Sequence, residues 1–294
     1  MNILVTGAGG QLGTSIRKLT EGQKAHRFIF TDVASRPGSD IVYLDITNQD
    51  AVRLLCESEK VDLIINCAAY TNVEKAEEDM ALCKLLNADA PGILAAVAAR
   101  RGATLIHIST DYVFGGDIPI PLKENFPTQP AGVYAVTKLQ GEHAVQESGC
   151  KYLIIRSAWL YSAYGKNFLK TMQKLTAERP EVKVVFDQIG TPTWAGDLAA
   201  FIVHIIVSGQ LHKTGIYHYS NEGVCSWFDF ACAIRDLCGT SARVVPCHSA
   251  DFPSKVHRPA YSVLDKTKAR DTFGINIPHW YHALKQCLKE AESL

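Results

Sequence analysis

The sequence has no net charge to offer a partner, because 30 Lys and Arg residues balance 30 Asp and Glu. Nucleic-acid binding by bulk electrostatics needs a basic face and is not expected. There is no C-x-x-C pair. The nine cysteines (Cys56, Cys67, Cys83, Cys150, Cys225, Cys232, Cys238, Cys247 and Cys287) are odd in number and lack metal-ligand spacing, so neither a zinc site nor a disulfide framework is expected. Reduced thiols fit better, several of them buried as small hydrophobes, with Cys67 inside the apolar run 63–69. No apolar run reads as long enough to cross a bilayer; Ala199–Val207 is strongly apolar but short, and reads as a buried helix. The first residues form a strand pattern rather than a charged leader with an apolar core, and a soluble cytoplasmic protein with no membrane partner is expected. Repeats, low-complexity tracts and flexible linkers are lacking too, so any two lobes should share an interface.

What is present is a core. Of 294 residues, 47% are hydrophobic and 20% charged, which suits a globular nucleotide-binding domain with a second lobe. The first half alternates strand and helix patterns. Strands are expected at Asn2–Thr6, Phe28–Thr31, Ile41–Leu44, Val61–Asn66, Thr104–Ser109 and Tyr152–Arg156. Helices are expected at Gln11–Leu19, from an Asn48 cap to about Glu57, within Ala81–Arg101, and at Tyr134–Gln146. Short apolar strands separated by helices pair in parallel, because a parallel connection must cross over and the helix fills the crossover. The predicted class is α/β: a Rossmann-type doubly wound parallel sheet with a smaller α/β substrate-binding lobe. Residues 1–165 would mainly hold a dinucleotide and 166–294 mainly form the second lobe, with some segments returning. That half is less regular, with strands expected at Lys183–Phe186 and Gly215–Tyr219 and a helix around Trp227–Cys238.

The first motif follows the first strand: Gly7-x-x-Gly10-Gln11-Leu12-Gly13, opening a helix. One glycine accepts backbone angles that a side chain forbids, one lets a pyrophosphate approach, and one lets helix and strand pack closely. The helix start then offers free N–H groups and a positive dipole end to phosphate. Asp32 ends the second strand, 19 residues after Gly13. An acid there can accept hydrogen bonds from the adenine ribose and would repel a 2′-phosphate, which leans towards NADH; nearby Arg36 could offset it. Asp45, before Ile46, ends the third strand, and could either contact the adenine or cap the helix that follows.

The second motif is Tyr134-Ala135-Val136-Thr137-Lys138. Residues four apart share a helix face, so tyrosine and lysine point together. An ammonium nearby would lower the phenol pKa, and the lysine could hold nicotinamide ribose hydroxyls. A tyrosine so placed can give a proton to a carbonyl oxygen as hydride arrives at carbon. Thr110 ends a parallel strand 24 residues earlier, where its hydroxyl can bond the reacting oxygen.

At these residues the chain resembles the extended short-chain dehydrogenase/reductase superfamily and, within it, the dTDP-4-dehydrorhamnose reductase family. The carrying segments run in order over almost the whole chain: Gly7–Gly13, Asn66–Glu77, Ser109–Phe114, Tyr134–Lys138, Arg156–Tyr161, Gly165–Phe168, Asp187–Thr193 and Arg258-Pro259. The resemblance implies reduction of the C4 ketone of dTDP-4-dehydro-6-deoxy-L-mannose by NADH or NADPH, giving dTDP-L-rhamnose. It implies Thr110, Tyr134 and Lys138 as catalytic, and Ala68, Ala69 and Tyr70 along the cofactor path. Val73, Asp111, Tyr112, Trp159, Asn167 and Arg258 are its candidates for the dTDP-sugar. Trp159 could instead be core packing, and Arg258 a surface ion pair. Some relatives bridge a dimer through magnesium held by glutamates; Ser15 and Gly196 stand at those positions, so no metal and a monomer or weak homodimer are expected. Two alternatives stay open: another nucleotide-sugar reductase or epimerase, and a non-catalytic subunit resembling the methionine adenosyltransferase beta family. Against a dehydratase, Tyr112 rather than an acid follows Thr110-Asp111.

Overall fold

The computed structural model describes residues 1–34, 40–116, 118–252, 254, 256 and 258–293. Its centre is a seven-stranded sheet. The strands β1 (Asn2–Thr6), β2 (Arg27–Asp32), β3 (Val42–Tyr43), β4 (Leu63–Asn66), β5 (Thr104–Thr110) and β6 (Lys151–Ser157) are joined by Gly215–His218 from the second half. From one edge to the other the order is Gly215–His218, β6, β5, β4, β1, β2, β3, and every pairing is parallel.

Alternation along each strand builds two cores. Ile3 and Val5 of β1, Leu63 and Ile65 of β4, and Ile106 of β5 enter one cluster, with Leu198, Phe201, Ile202 and Ile205 of the helix Ala195–Val207. Leu4, Ile64 and Leu105 enter the other, with Val52 of α2 (Gln49–Ser58) and Leu94, Ala95 and Ala98. Both faces are covered, which is why these strands read as continuous apolar runs. The glycine turn leads into α1 (Gln11–Leu19) on the first face. Chain order reverses at β1, which has β2 on one side and β4 on the other. Ligands of open α/β sheets bind at such a switch point, beyond the C-terminal strand ends.

One expectation from the sequence changes. Met80–Arg101 is a 22-residue helical segment, long and apolar enough by length and composition to cross a membrane. Its apolarity is spent on the sheet: Ala90, Pro91, Leu94, Ala95, Val97 and Ala98 are buried. Within it Leu85–Asp89 forms a π-helical turn.

The second lobe has its own core. A parallel pair, Glu181–Val185 with Arg243–Cys247, packs with the helices Phe168–Glu178, Trp227–Cys238 and Trp280–Glu292 around Leu169, Phe230, Ile234 and Leu284.

Candidate active site

The turn after β1 fits a dinucleotide by what it leaves out. Gly7 has φ +65°, and a Cβ there would stand 2.7 Å from the Ala68 nitrogen. A Cβ on Gly13 would stand 2.3 Å from the Gly7 carbonyl oxygen, so α1 could not start this close to the strand. Gly10 is the N-cap and has no side chain to cap the first turn. The N–H groups at the start of α1, including those of Gln11 and Leu12, are therefore left for an anion. Leu12 itself is buried. Asp32 reaches the turn, with Oδ2 accepting from Gly9 N at 2.9 Å and Oδ1 from Ala34 N at 3.0 Å. Arg36 lies outside the described residues. Asp45 closes a small turn by accepting from Thr47 N and Oγ1 at 2.9 and 2.7 Å. The cap of α2 is Asn48, whose Oδ1 accepts from Ala51 N at 3.0 Å, so that alternative role for Asp45 falls away. Ile46 packs in the second core cluster.

Across the switch point, a polar row links the strand ends. Thr6, Asn66 and His107 lie in register on β1, β4 and β5. Thr6 Oγ1 donates to Asn66 Oδ1 at 2.7 Å, as does Ala68 N at 3.2 Å, and Asn66 Nδ2 lies 3.1 Å from His107 Nδ1. Burial, helped by Lys138, holds the His107 pKa well below its usual value. After β4, Ala68 and Ala69 run into Tyr70. The Tyr70 backbone is clamped by one fully buried side chain: Asn87 Oδ1 accepts from Tyr70 N at 2.9 Å, and Asn87 Nδ2 donates to Tyr70 O at 3.0 Å. Asn87 sits in the π-helical turn, a distortion frequent at functional sites.

Tyr134 and Lys138 stand one turn apart on the helix Val133–Glu147. Its N-cap, Gly132, has φ +82° and no side chain; Glu77 supplies the missing acceptor, taking the Val133 N–H at 2.7 Å. Thr110 lies beside Tyr134, where it favours the ionised phenol. Lys138 Nζ donates to the Ile108 carbonyl at 2.7 Å. The structure thus places Thr110 beside Tyr134, and Lys138 one turn along the same helix, bonded to the strand rather than to the phenol.

Their electrostatics differ from expectation. The Tyr134 pKa is raised, not lowered: burial dominates, Asp111 and Tyr112 push the same way, and nearby Thr110 only partly opposes them. The lysine pKa itself is lowered to about 8 by burial, against the opposing pull of Glu142. A neutral phenol is the form that can donate a proton. Beside it, the Tyr112 ring meets Tyr134 edge to face at 5.6 Å. Asp111 Oδ1 accepts from the Thr110 hydroxyl at 3.0 Å, its Oδ2 is buried without a hydrogen-bond partner, and burial raises its pKa to about 6.

The remaining substrate candidates lie towards the second lobe. Val73 opens the short helix Val73–Ala76. Next to it, Glu74 Oε1 accepts from Arg258 Nη2 at 2.9 Å. Both side chains are over a third exposed, so this pair contributes little stability. A cavity of about 590 Å³ opens beside them, lined by Phe168, Met172, Val182, Val184, Trp227 and Arg258. Trp159 has a left-handed backbone, φ +48°, a conformation costly for a bulky residue. Its ring stacks on Trp227 with centroids 3.5 Å apart, and a Cβ on Gly190 would stand 2.6 Å from the indole. Trp159 is packed, and Trp227 is the ring that lines the cavity. Asn167 caps the helix Phe168–Glu178, and its Nδ2 lies within 3.1 Å of Gln11 Oε1 and the Ser162 and Tyr164 carbonyls. Ser15 Oγ donates to the Gln11 carbonyl at 3.0 Å, and Gly196 packs against the Trp194 ring.

Beneath the site lies a group that no short motif marks. Arg156 Nε and Nη2 donate to the two oxygens of Glu142 at 2.9 and 2.7 Å, and Ser109 Oγ donates to Glu142 Oε1 at 2.5 Å. Glu142 follows Lys138 by one helical turn, so this buried pair ties the Tyr134 helix to β5 and β6.

A family model described as RmlD substrate binding domain matches residues 1–293. The chain belongs to that family. Among curated relatives, the dTDP-4-dehydrorhamnose reductase of Aggregatibacter actinomycetemcomitans is 38% identical over 299 residues, 99% of each chain. A crystal structure of a Clostridium acetobutylicum dTDP-4-dehydrorhamnose reductase is 41% identical, with TM-score 0.92 over 99% of this chain and 100% of that one. The Bacillus anthracis reductase in complex with NADP is 35% identical, with TM-score 0.87 over 98% and 99%. These two reductase structures share the whole architecture. A Thermus thermophilus UDP-glucose 4-epimerase, 18% identical with TM-score 0.83, shares the fold alone.

Proposed function

We propose that the protein reduces the C4 ketone of dTDP-4-dehydro-6-deoxy-L-mannose to dTDP-L-rhamnose with NADPH or NADH. The observation that carries this is Thr110 beside Tyr134, one helical turn from Lys138, above a glycine turn in a chain whose curated relatives include dTDP-4-dehydrorhamnose reductases. The nicotinamide cofactor, when bound, supplies the hydride. Gly7, Gly10, Gln11, Leu12 and Gly13 would hold its pyrophosphate, Asp32 and the Asp45-Ile46 turn its adenosine end, and Ala68, Ala69 and Tyr70 the path towards the sheet edge.

The chain's own residues do the proton work. Tyr134, kept neutral by burial, donates its phenolic proton to the C4 oxygen as that oxygen becomes an alkoxide. Thr110 lies beside the phenol, and the Lys138 ammonium, one turn along the helix, would offset the negative charge left on it. Asp111 and Tyr112 enclose the reacting end, while Val73 and Arg258 lie on the route to the second-lobe cavity, where Arg258 would pair with diphosphate. Residues 1–165 thereby serve the dinucleotide mainly and 166–294 the sugar nucleotide mainly. Nine thiols without a disulfide among them suit a cytoplasmic enzyme. A monomer or weak homodimer satisfies all of these roles.

A second reductase reading has one observation behind it. A Streptomyces antibioticus relative named as a probable dTDP-4,6-dihydroxy-2-methyloxan-3-one 4-ketoreductase is 39% identical over 293 residues. It keeps the C4 chemistry and changes the sugar. The test is a panel of dTDP, uridine and guanosine diphosphate ketosugars with both cofactors, following cofactor oxidation. The dTDP-dehydrorhamnose arm should turn over fastest and stoichiometrically, and Tyr134→Phe should bind cofactor yet lose about 10²–10⁴ in turnover. A folded sample inert in every arm sinks the proposal.

A further inference from the structure

The dinucleotide turn and the second lobe meet at one side chain. Gln11 opens α1, so its backbone N–H belongs to the anion-binding start of that helix. Its carboxamide oxygen accepts from two residues far along the chain, Ser162 Oγ and Asn167 Nδ2, each at 2.9 Å. Ser162 is fully buried. Asn167 also caps the helix Phe168–Glu178, with Oδ1 accepting from Lys170 N at 3.1 Å. Between them Gly165, at φ +65°, runs so close that a Cβ would stand 3.6 Å from Gln11 Cγ. Two turns on, the Lys18 ammonium lies 4.8 Å from the centre of the Tyr164 ring, and Tyr164 Oη donates to Glu290 Oε1 at 2.7 Å. One face of α1 thus holds the 162–167 loop at two points. That loop starts the helix whose Phe168 and Met172 line the cavity.

We propose that Gln11 is a positioning residue that couples occupancy of the dinucleotide turn to the shape of the sugar-nucleotide cavity. The proposal rests on the reading of those two regions given above. A pyrophosphate on the turn fixes the Gln11 backbone; its carboxamide then holds Ser162 and Asn167, and with them the first turn of the helix Phe168–Glu178. Whatever orders one site lowers the cost of ordering the other, and such coupling is reciprocal. The two donors require an acceptor oxygen at residue 11, which glutamine provides without placing a negative charge beside phosphate.

The experiment is calorimetric titration of the full-length protein with dTDP, with and without saturating NADP⁺, and the reverse. In the wild type each ligand should tighten the other by the same factor, about fivefold or more. Gln11→Ala should bring that factor close to one. Gln11→Glu keeps the acceptor oxygens and should retain the coupling, whatever it does to cofactor affinity alone. Ser162→Ala breaks the same link from the other lobe, and should reduce the factor even if Gln11→Ala fails to fold. Independent binding in the wild type, or an unchanged factor in Gln11→Ala or Ser162→Ala, overturns the coupling while leaving the reductase reading standing. A folded wild type that binds neither ligand overturns both.

Discussion

Tyr134 and Lys138 show how far burial can displace a simple pairwise argument. Spacing alone puts an ammonium near a phenol and expects the phenol to become more acidic. In the folded protein both groups are enclosed, and desolvation penalises the charged form of each, raising the tyrosine and lowering the lysine to about 8. A pH profile follows. Below about 8 the lysine is charged and can offset the phenolate formed on proton donation; above it the ammonium is lost. The kcat/KM for ketone reduction should therefore fall as pH rises through about 8, and Lys138→Arg, which stays charged, should move that alkaline limb upward. An unchanged limb in the arginine variant would assign it to another group. The residues behind this site were legible to different degrees. Thr110, Tyr134 and Lys138 can be found because a strand end and a one-turn helix spacing leave a local trace. Asn87, Glu77 and Glu142 leave none: their partners Tyr70, Val133 and Arg156 stand 17, 56 and 14 positions away. Trp227 is similar, since only the fold reveals that it lines the cavity while Trp159 packs beneath it.

Among elements, the first half is readable nearly to the residue because its central strands are buried on both faces and its helices cover them. The misses have local causes. The third strand, expected over Ile41–Leu44, is only Val42–Tyr43, because it is the sheet edge and pairs on one side. Arg243–Cys247 contains Pro246, which argues against a central strand; it is tolerated because this strand pairs only with Glu181–Val185 in a two-stranded sheet. The helices Phe168–Glu178 and Trp280–Glu292 are hard to read from the sequence, being amphipathic segments within a half whose turns obscure the period. Between elements, Gly141 on the Tyr134 helix marks a close approach. A Cβ there would stand 2.1 Å from the Asn87 carbonyl oxygen, and backbone cannot yield as a flexible side chain can. Gly141→Ala should push this helix from the π-helical turn, costing about 1–3 kcal/mol in urea unfolding. It should also lower kcat, because the Asn87 clamp on Tyr70 and the Tyr134 phenol move with the helix. Wild-type stability would mean that the helices can separate freely.

At the scale of the whole molecule, two lobes can be named from the sequence, but the chain does not respect a cut between them. After leaving the sheet at β6 it builds part of the second lobe and comes back to the sheet, and later Ala269, Phe273 and Ile277 enter the same core again. The helix Ala195–Val207 lays Leu198, Phe201, Ile202 and Ile205 over the face built by Ile3, Val5, Leu63 and Ile65. The strand Gly215–His218 then pairs along β6 from Leu153 to Arg156. A fragment ending at residue 165 would retain the glycine turn, Thr110, Tyr134 and Lys138, yet expose that apolar face and leave β6 as an open edge. Each of those four side chains contributes about 2 kcal/mol on burial, so their loss alone is on the order of 8 kcal/mol. A whole domain is stable by about 5–15 kcal/mol, so this deficit is as large as a typical domain's whole stability, before the open edge of β6 is counted. Expressed alone, residues 1–165 should lack a cooperative urea transition and dispersed amide resonances, and should not bind NADPH. A cooperative, NADPH-binding fragment would show instead that the second half only supplies the sugar site. The expected failure has a functional consequence: the segments that finish the dinucleotide domain are continuous with those that shape the cavity. If the fragment fails in this way, the two proposed sites belong to a single cooperative unit, with Gln11 on its seam.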